Sequence, residues 1–176
     1  MEGSAQPPVR LRQDRALAPV VRRMLLSAAG FVAIVVTGLA LIAPGAHLYE
    51  LAHKIGMTAD QYFVVQNIYL GWWFAGLLLP AAFLANCTLA TVARHDRAAL
   101  ALALMAAALI ALNLVIFMIW TQPANAATDN WTVRPDNWEI LRRQWEYSHA
   151  INAGVTFAAF CAATLAGLRA AARTSS

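Results

Sequence analysis

Apolar positions in this chain gather into four runs separated by short polar stretches. They are Met24–Ala43, broken by Ser27 and Thr37; Phe63–Ala85, interrupted by Gln66 and Asn67; Ala98–Trp120, with Asn113 its one strongly polar residue; and His149–Leu168. Each is about 20 residues, and at about 1.5 Å rise per residue each covers roughly 30 Å of bilayer hydrocarbon. The pattern predicts an all-α chain, an integral membrane four-helix bundle running up-down-up-down. Its helices fall at about 22–55, 59–88, 96–121 and 137–171, and helices one and four extend beyond the apolar core on the outer side.

Local signals set the boundaries. Residues 1–20 carry Pro7, Pro8, Pro19 and scattered arginines without apolar periodicity, and read as a disordered basic cytoplasmic tail before a transmembrane domain over 21–172. Pro44-Gly45 predicts a bend in helix one, and Gly56 its C-terminal cap. Thr58-x-x-Gln61 predicts a capping box for helix two, and Asp136 with Glu139 a similar start for helix four. Ala90–Asp96 reads as a short basic hairpin loop on the cytoplasmic side. The first apolar run is longer than the core of a secretory leader, so a retained helix is expected. Trp120 and Trp138 are expected to anchor at the membrane interface, and Trp131 either anchors there too or folds its loop down as a lid, the anchor being the favoured reading.

Composition fits a membrane-embedded chain: 60% of residues are hydrophobic and 12% charged. Lysine and arginine fall nine to four between the two sides, with Lys54, Arg134, Arg142 and Arg143 the minority. That bias predicts a multi-pass protein of the cell membrane with both termini cytoplasmic. The net charge of +4 is mostly this asymmetry. No basic cluster on a recognition fold is visible, so the expected partner is the lipid bilayer and not a nucleic acid. Cys87 and Cys161 show no metal-ligand spacing and read as small buried hydrophobes.

The polar residues converge on the outer level. His47, Glu50, His53 and Lys54 end helix one; Gln61, Gln66, Asn67 and Tyr69 occupy the outer half of helix two; Glu139, Arg142, Arg143, Glu146, His149 and Asn152 begin helix four. Arg142, Glu146 and His149 follow i, i+4, i+7, and His47, Glu50 and Lys54 follow i, i+3, i+7, so each set shares a helical face. Ionisable groups at a bilayer edge are costly and usually have partners and a task.

Three readings of this cluster stand side by side. In one it ties a small bundle together, or docks an accessory partner, without catalysis. In the second it is a small-molecule site. His149, Glu146 and Arg142 are then the catalytic candidates, and His47, Glu50, Gln66, Asn67, Tyr69, Trp73, Asn137, Trp145 and Asn152 the binding candidates. Flat aromatic walls from Trp73 and Trp145 suit a lipophilic aromatic or quinone-type molecule. In the third, His47, His53 and His149 hold a metal; the Glu-x-x-His spacing of Glu50–His53 and Glu146–His149 is that of di-metal carboxylate bundles, but no metal and no other cofactor is specified. His95, between Arg94 and Arg97, reads as a solvated loop residue.

Four short membrane helices, an outer loop ending Pro135-x-Asn137, and Trp145 with His149 entering the last helix resemble the anthrone-oxygenase-like family of small membrane proteins. The likeness spans roughly residues 24–170. It implies oxidation of an anthrone to an anthraquinone, with Asn137, Trp145 and His149 as site residues and His149 the base. The family places an arginine one turn after that histidine; here the position holds Asn152, and Arg142 or Arg143 becomes the expected substitute.

Overall fold

A computed structural model describes residues 9–172. Every regular element within them is helical, and four segments are long and apolar enough to cross a membrane: Val20–Lys54, Trp72–Val92, Arg97–Ala127 and Trp138–Ala172.

Helix α1 runs Val9–Lys54 without interruption. It therefore begins within the stretch expected to be tail; residues 1–8 lie outside the described residues. Pro44 does not end the helix. Lacking an N–H, it leaves the Ala40 carbonyl without its usual helical donor. Gly56 follows the helix, and Thr58 then caps α2 (Ala59–Gln66) with the expected box, its side chain accepting from Gln61 N and its own N–H donating to Gln61 Oε1 at 3.1 Å.

The second apolar run is not one helix. After α2 comes a single 3-10 turn, Asn67–Tyr69, and the chain turns at Gly71, whose φ of 89° is a left-handed value that glycine adopts without steric cost. A second 3-10 stretch, Trp72–Leu77, leads into α3 (Leu78–Val92). The continuous helix expected over 59–88 is corrected to two helices joined by this irregular segment, and the span begins at Trp72.

Asp96 caps α4 (Arg97–Ile116) by accepting from Ala98 N at 3.0 Å and Ala99 N at 3.2 Å. The helix passes through one π turn, Phe117–Thr121, into α5 (Gln122–Ala127). Pro123 cannot donate to the carbonyl four residues back, and a local register change accommodates that loss. Just before that proline, the Trp120 carbonyl accepts from Gln144 Nε2 of α6 (Trp138–Ala172) at 2.7 Å.

α1 packs against α6 and α3, and α4 against the same two helices. The seams are lined by small side chains, with Ala33, Ala82, Ala99, Ala103, Ala106, Ala159, Ala163 and Ala166 fully buried. That is how helices associate where lipid removes the hydrophobic drive between them. Gly30 of α1 meets Gly167 of α6 so closely that a Cβ on Gly30 would lie 3.3 Å from the Gly167 Cα. Two buried amides tie helices across the seams: Asn86 Nδ2 donates to Thr37 Oγ1 at 2.9 Å, and Asn113 Nδ2 to Thr156 Oγ1 at 2.6 Å. The cysteines take no part in these seams as buried hydrophobes. Cys161 is exposed on the outside of α6 and Cys87 is only half-buried, so neither sits in a helix seam.

Candidate functional site

The ends of α1 and α6 meet α2 in a buried ionic network. Lys54 is 1% exposed, Glu146 is fully buried, and their ion pair measures 2.9 Å. Lys54 Nζ also donates to Gln66 Oε1 and to Tyr69 Oη, each at 3.4 Å, and lies 4.6 Å from the Tyr69 ring centre and 4.8 Å from that of Trp145. Tyr62 Oη donates to Glu146 Oε1 at 2.9 Å and accepts from Gln66 Nε2 at 2.6 Å. Burial, reinforced by the Glu146 carboxylate, pushes the Tyr62 phenol well above its ordinary range, so it stays a proton donor. Tyr69 Oη donates in turn to Glu50 Oε2, and Glu50 sits 3.7 Å from Lys54 with about a third of its side chain in contact with solvent. Removing an ammonium and a carboxylate from water costs several kcal/mol each, and this density of partners is what offsets it.

Beside the network lies a cavity of about 510 Å³. The α1 wall is Ala40, Ala43, Pro44 and His47. Gln66, Tyr69 and the irregular segment through Gly76 supply the second wall, and α4 with its π turn gives Asn113 and Phe117. The wall from α6 is Trp145, His149 and Asn152, and the segment from α5 onward adds Gln122, Asn125, Asn130 and Trp131. The break after α2 matters here. A regular helix would present only every third or fourth residue to the cavity, whereas the irregular segment presents Tyr69, Leu70, Gly71, Trp72 and Trp73 in succession.

The aromatic groups are tightly grouped. The His47 ring centre lies 4.3 Å from that of His149, 4.4 Å from Tyr69 and 4.6 Å from Trp145, and Trp145 lies 4.3 Å from His149. The Trp145 indole N–H donates to Asn125 Oδ1 at 2.8 Å, which leaves the Asn125 amide N–H groups to donate elsewhere. Asn113 has the opposite bias: its N–H groups go to Thr156 and to the Asn152 carbonyl, leaving its Oδ1 to accept. His47 Nδ1, Glu146 Oε2 and Asn152 Oδ1 are buried with no protein hydrogen-bond partner. No aspartate, glutamate, lysine or arginine is among the residues lining this cavity.

The structure brings together His47, Gln66, Tyr69, Trp73, Trp145, His149 and Asn152 of the expected site residues, with Trp73 mostly exposed at the rim. Glu146 and Glu50 sit behind this wall in the ionic network. Arg142 lies further along α6, where its Nη1 donates to the Met57 carbonyl at 2.6 Å and its guanidinium covers Trp138 at 4.6 Å. Arg143 is exposed. Neither arginine lines the cavity, so the expected substitution by Arg142 or Arg143 does not occur. Asn67 and Asn137 are exposed and also lie outside the lining. His53 is exposed in a surface hollow with Met57 and Asp60, away from His47 and His149. The three histidines of the metal reading are therefore not brought together, and among the described residues no group of three or more His, Cys, Asp or Glu side chains is placed to share an ion.

Two tryptophans expected as interface anchors turn inward. Trp131 is 4% exposed because Asp129, Asn130 and Trp131 take successive left-handed φ values of 45°, 54° and 66°, folding the loop back over Tyr62, 5.1 Å between ring centres. Trp138 is 8% exposed beneath Arg142. Lys54, Tyr62, Asn113, Gln122 and Asn125 complete the site without having been singled out for it, and Trp131 joins it on the folded-down loop that was the alternative to an anchor. Lys54 lay on the His47–Glu50 stripe, and Asn113 was the lone strongly polar residue of its run; Tyr62 and Asn125 carried no signal beyond their type.

Comparison of the chain with protein-family models, curated proteins and solved structures gives no match. The geometry of the site therefore carries the functional argument.

Proposed function

We propose that this is a cell-membrane protein with alternating helix directions and both ends cytoplasmic, whose cavity takes a neutral, flat, oxygen-bearing aromatic molecule from the lipid phase. The observation that carries this reading is one cavity joining two adjoining imidazoles, four indoles and a phenol with six side-chain amides and no formal charge on its walls. A volume of about 510 Å³ lies in the range of small-molecule sites, roughly 300–1,000 Å³. Anions gain no counter-ion there. Asn125 offers donors, while Asn113 and Asn152 offer acceptors, which suits a ligand bearing both a carbonyl and a hydroxyl. A buried acceptor without a donor costs about 1–3 kcal/mol, and a ligand hydroxyl removes that cost at Asn152.

The chemistry proposed is oxidation of an anthrone-type substrate by dioxygen, in line with the family resemblance. His149 takes the acidic ring C–H proton, and the carbonyl oxygen that gains charge is held by amide N–H donors in place of an arginine. The carbanion is oxidised by dioxygen with formation of a C–O bond, and loss of water leaves the anthraquinone. Overall, one anthrone and one dioxygen give one anthraquinone and one water.

The test uses purified protein in lipid nanodiscs with 1,8-dihydroxyanthrone, following anthraquinone absorbance against the spontaneous reaction. Acceleration that falls about a hundredfold in His149→Ala supports the reading. Binding without acceleration would discard the oxidation and keep the ligand site; no binding discards both.

A further inference from the structure

Residues that line the cavity and are also exposed fall into two groups of different character. Leu70, Gly71, Trp73 and Gly76 form an apolar group, and Gln122 and Asn130 a polar one. We infer that the ligand enters at the apolar group, sideways from the bilayer between the Trp72–Leu77 stretch and the π turn Phe117–Thr121, and that Gly76 sets the width of this entrance. This rests on the proposed ligand site and adds to it a route of entry and a size filter.

The seam between α3 and α4 is closed deep in the bundle, where Ala82 and Ile110 are fully buried in one cluster. Within roughly two turns of there it divides, and Leu79 and Gly76 from one side and Asn113 and Phe117 from the other line the cavity. The two flanks pack on different partners. Trp72–Leu77 packs on α1 and α3, and none of its residues is buried; the π turn packs on α4, α5 and α6. Phe74 and Leu77 on one flank and Met118 and Ile119 on the other are exposed, all within segments apolar enough to span a membrane. A flat apolar molecule gathers in hydrocarbon, so an opening here meets it at its highest concentration.

The polar group is held by hydrogen bonds instead. The Asn130 N–H donates to the Asn125 carbonyl at 2.7 Å and the Trp131 N–H to Thr128 Oγ1 at 3.0 Å, and the buried Trp131 ring keeps this loop down on the bundle. Gly76 has no such restraint around it. A Cβ added there meets nothing within 4 Å, and its φ is not in the left-handed range, so a larger residue fits without strain and occupies the opening.

The experiment uses the full chain in lipid nanodiscs with 1,8-dihydroxyanthraquinone, followed by quenching of the tryptophans around the cavity. Stopped-flow mixing gives association, with protein-free nanodiscs measuring uptake into lipid alone, and transfer to excess empty nanodiscs gives release. A narrowed entrance is one barrier crossed in both directions, so association and release slow together and Kd holds; a lost contact with the bound ligand shifts Kd. Gly76→Leu is expected to slow both rates at least about tenfold, and Gly76→Ala less, with Kd within about threefold of wild type in each. Wild-type rates in Gly76→Leu overturn the entrance while the ligand site stands. A weaker Kd with unchanged association also overturns it, since Gly76 is then part of the lining alone. If Gly76→Leu takes up no dye, Gly76→Ala is read by the same comparison. If the wild-type protein binds no dye, the ligand site itself fails and the entrance with it.

Discussion

Lys54 carries more of the site's electrostatics than either histidine. Its ammonium is sealed at 1% exposure and contacts two carboxylates, one fully buried. Lys54→Met strands Glu146 in a dry environment and is expected to lower stability by about 3–5 kcal/mol, the cost of breaking a buried pair. Adding Glu146→Gln should recover more than half of the loss, because a neutral amide still accepts from Tyr62. Reversible unfolding of the two single variants and the double variant in mixed micelles reads the cycle. A double variant no more stable than Lys54→Met means that packing, and not unpaired charge, sets the loss. At this scale the sequence was partly legible. The i, i+3, i+7 stripe through His47, Glu50 and Lys54 was visible in residue spacing, and so was the one on α6. Which face meets which was not, because spacing within a helix says nothing about its rotation against a neighbour. Arg142 shows the consequence: it shares a stripe with Glu146 and His149, yet its longer reach takes it to the Met57 carbonyl.

Elements differ in how plainly they were written. The four apolar runs were readable from hydropathy, as were the Thr58 box and the short loop ending at Asp96. The break after α2 was not, since Phe63–Ala85 is mostly apolar and hydropathy is blind to backbone conformation. Its marks were Gln66 and Asn67, where α2 ends, and Gly71, residues that also sit harmlessly in regular membrane helices. The inward loop at Trp131 was half-marked: Asp129 and Asn130 are residue types that accept left-handed φ, but the third such value, at Trp131 itself, comes from tertiary packing, and spacing alone could not choose a folded-down loop over an anchor. The close seam of α1 and α6 makes a sharp prediction about glycine. Gly30 faces the Gly167 backbone, which cannot swing aside as a side chain end would, so Gly30→Val should cost about 1–3 kcal/mol through overpacking. Gly45 lies within α1, and a methyl added there would meet nothing within 4 Å, so Gly45→Ala should gain up to about 1 kcal/mol from helix propensity. Thermal midpoints of the pair, measured together in one detergent, are expected to move in opposite directions. A shift of the same sign in both would show that the seam is not close-packed.

On the scale of the whole molecule, the structure sharpens the charge asymmetry. Arg22, Arg23, Arg94 and Arg97 are exposed at the end of the bundle away from the cavity, near Arg169, which pairs with Asp96 at 3.2 Å. At the cavity end Lys54 and Arg142 are buried and Arg134 is paired with Asp60 at 3.3 Å, whereas Arg143 is exposed. Basic residues flanking membrane helices resist translocation, and the larger number of them lies at the end away from the cavity. The cavity end should therefore face away from the cytoplasm. This orientation is open to a direct measurement. In a Cys87→Ser, Cys161→Ser background, Val133→Cys is expected to react with a membrane-impermeant maleimide in intact cells, and His95→Cys only after the membrane is opened. Both positions are exposed and leave the arginines untouched, so the substitutions do not alter the bias that they report. The reverse labelling pattern would place the cavity on the cytoplasmic side, while the cavity, its amides and its imidazoles would keep the chemistry argued for them.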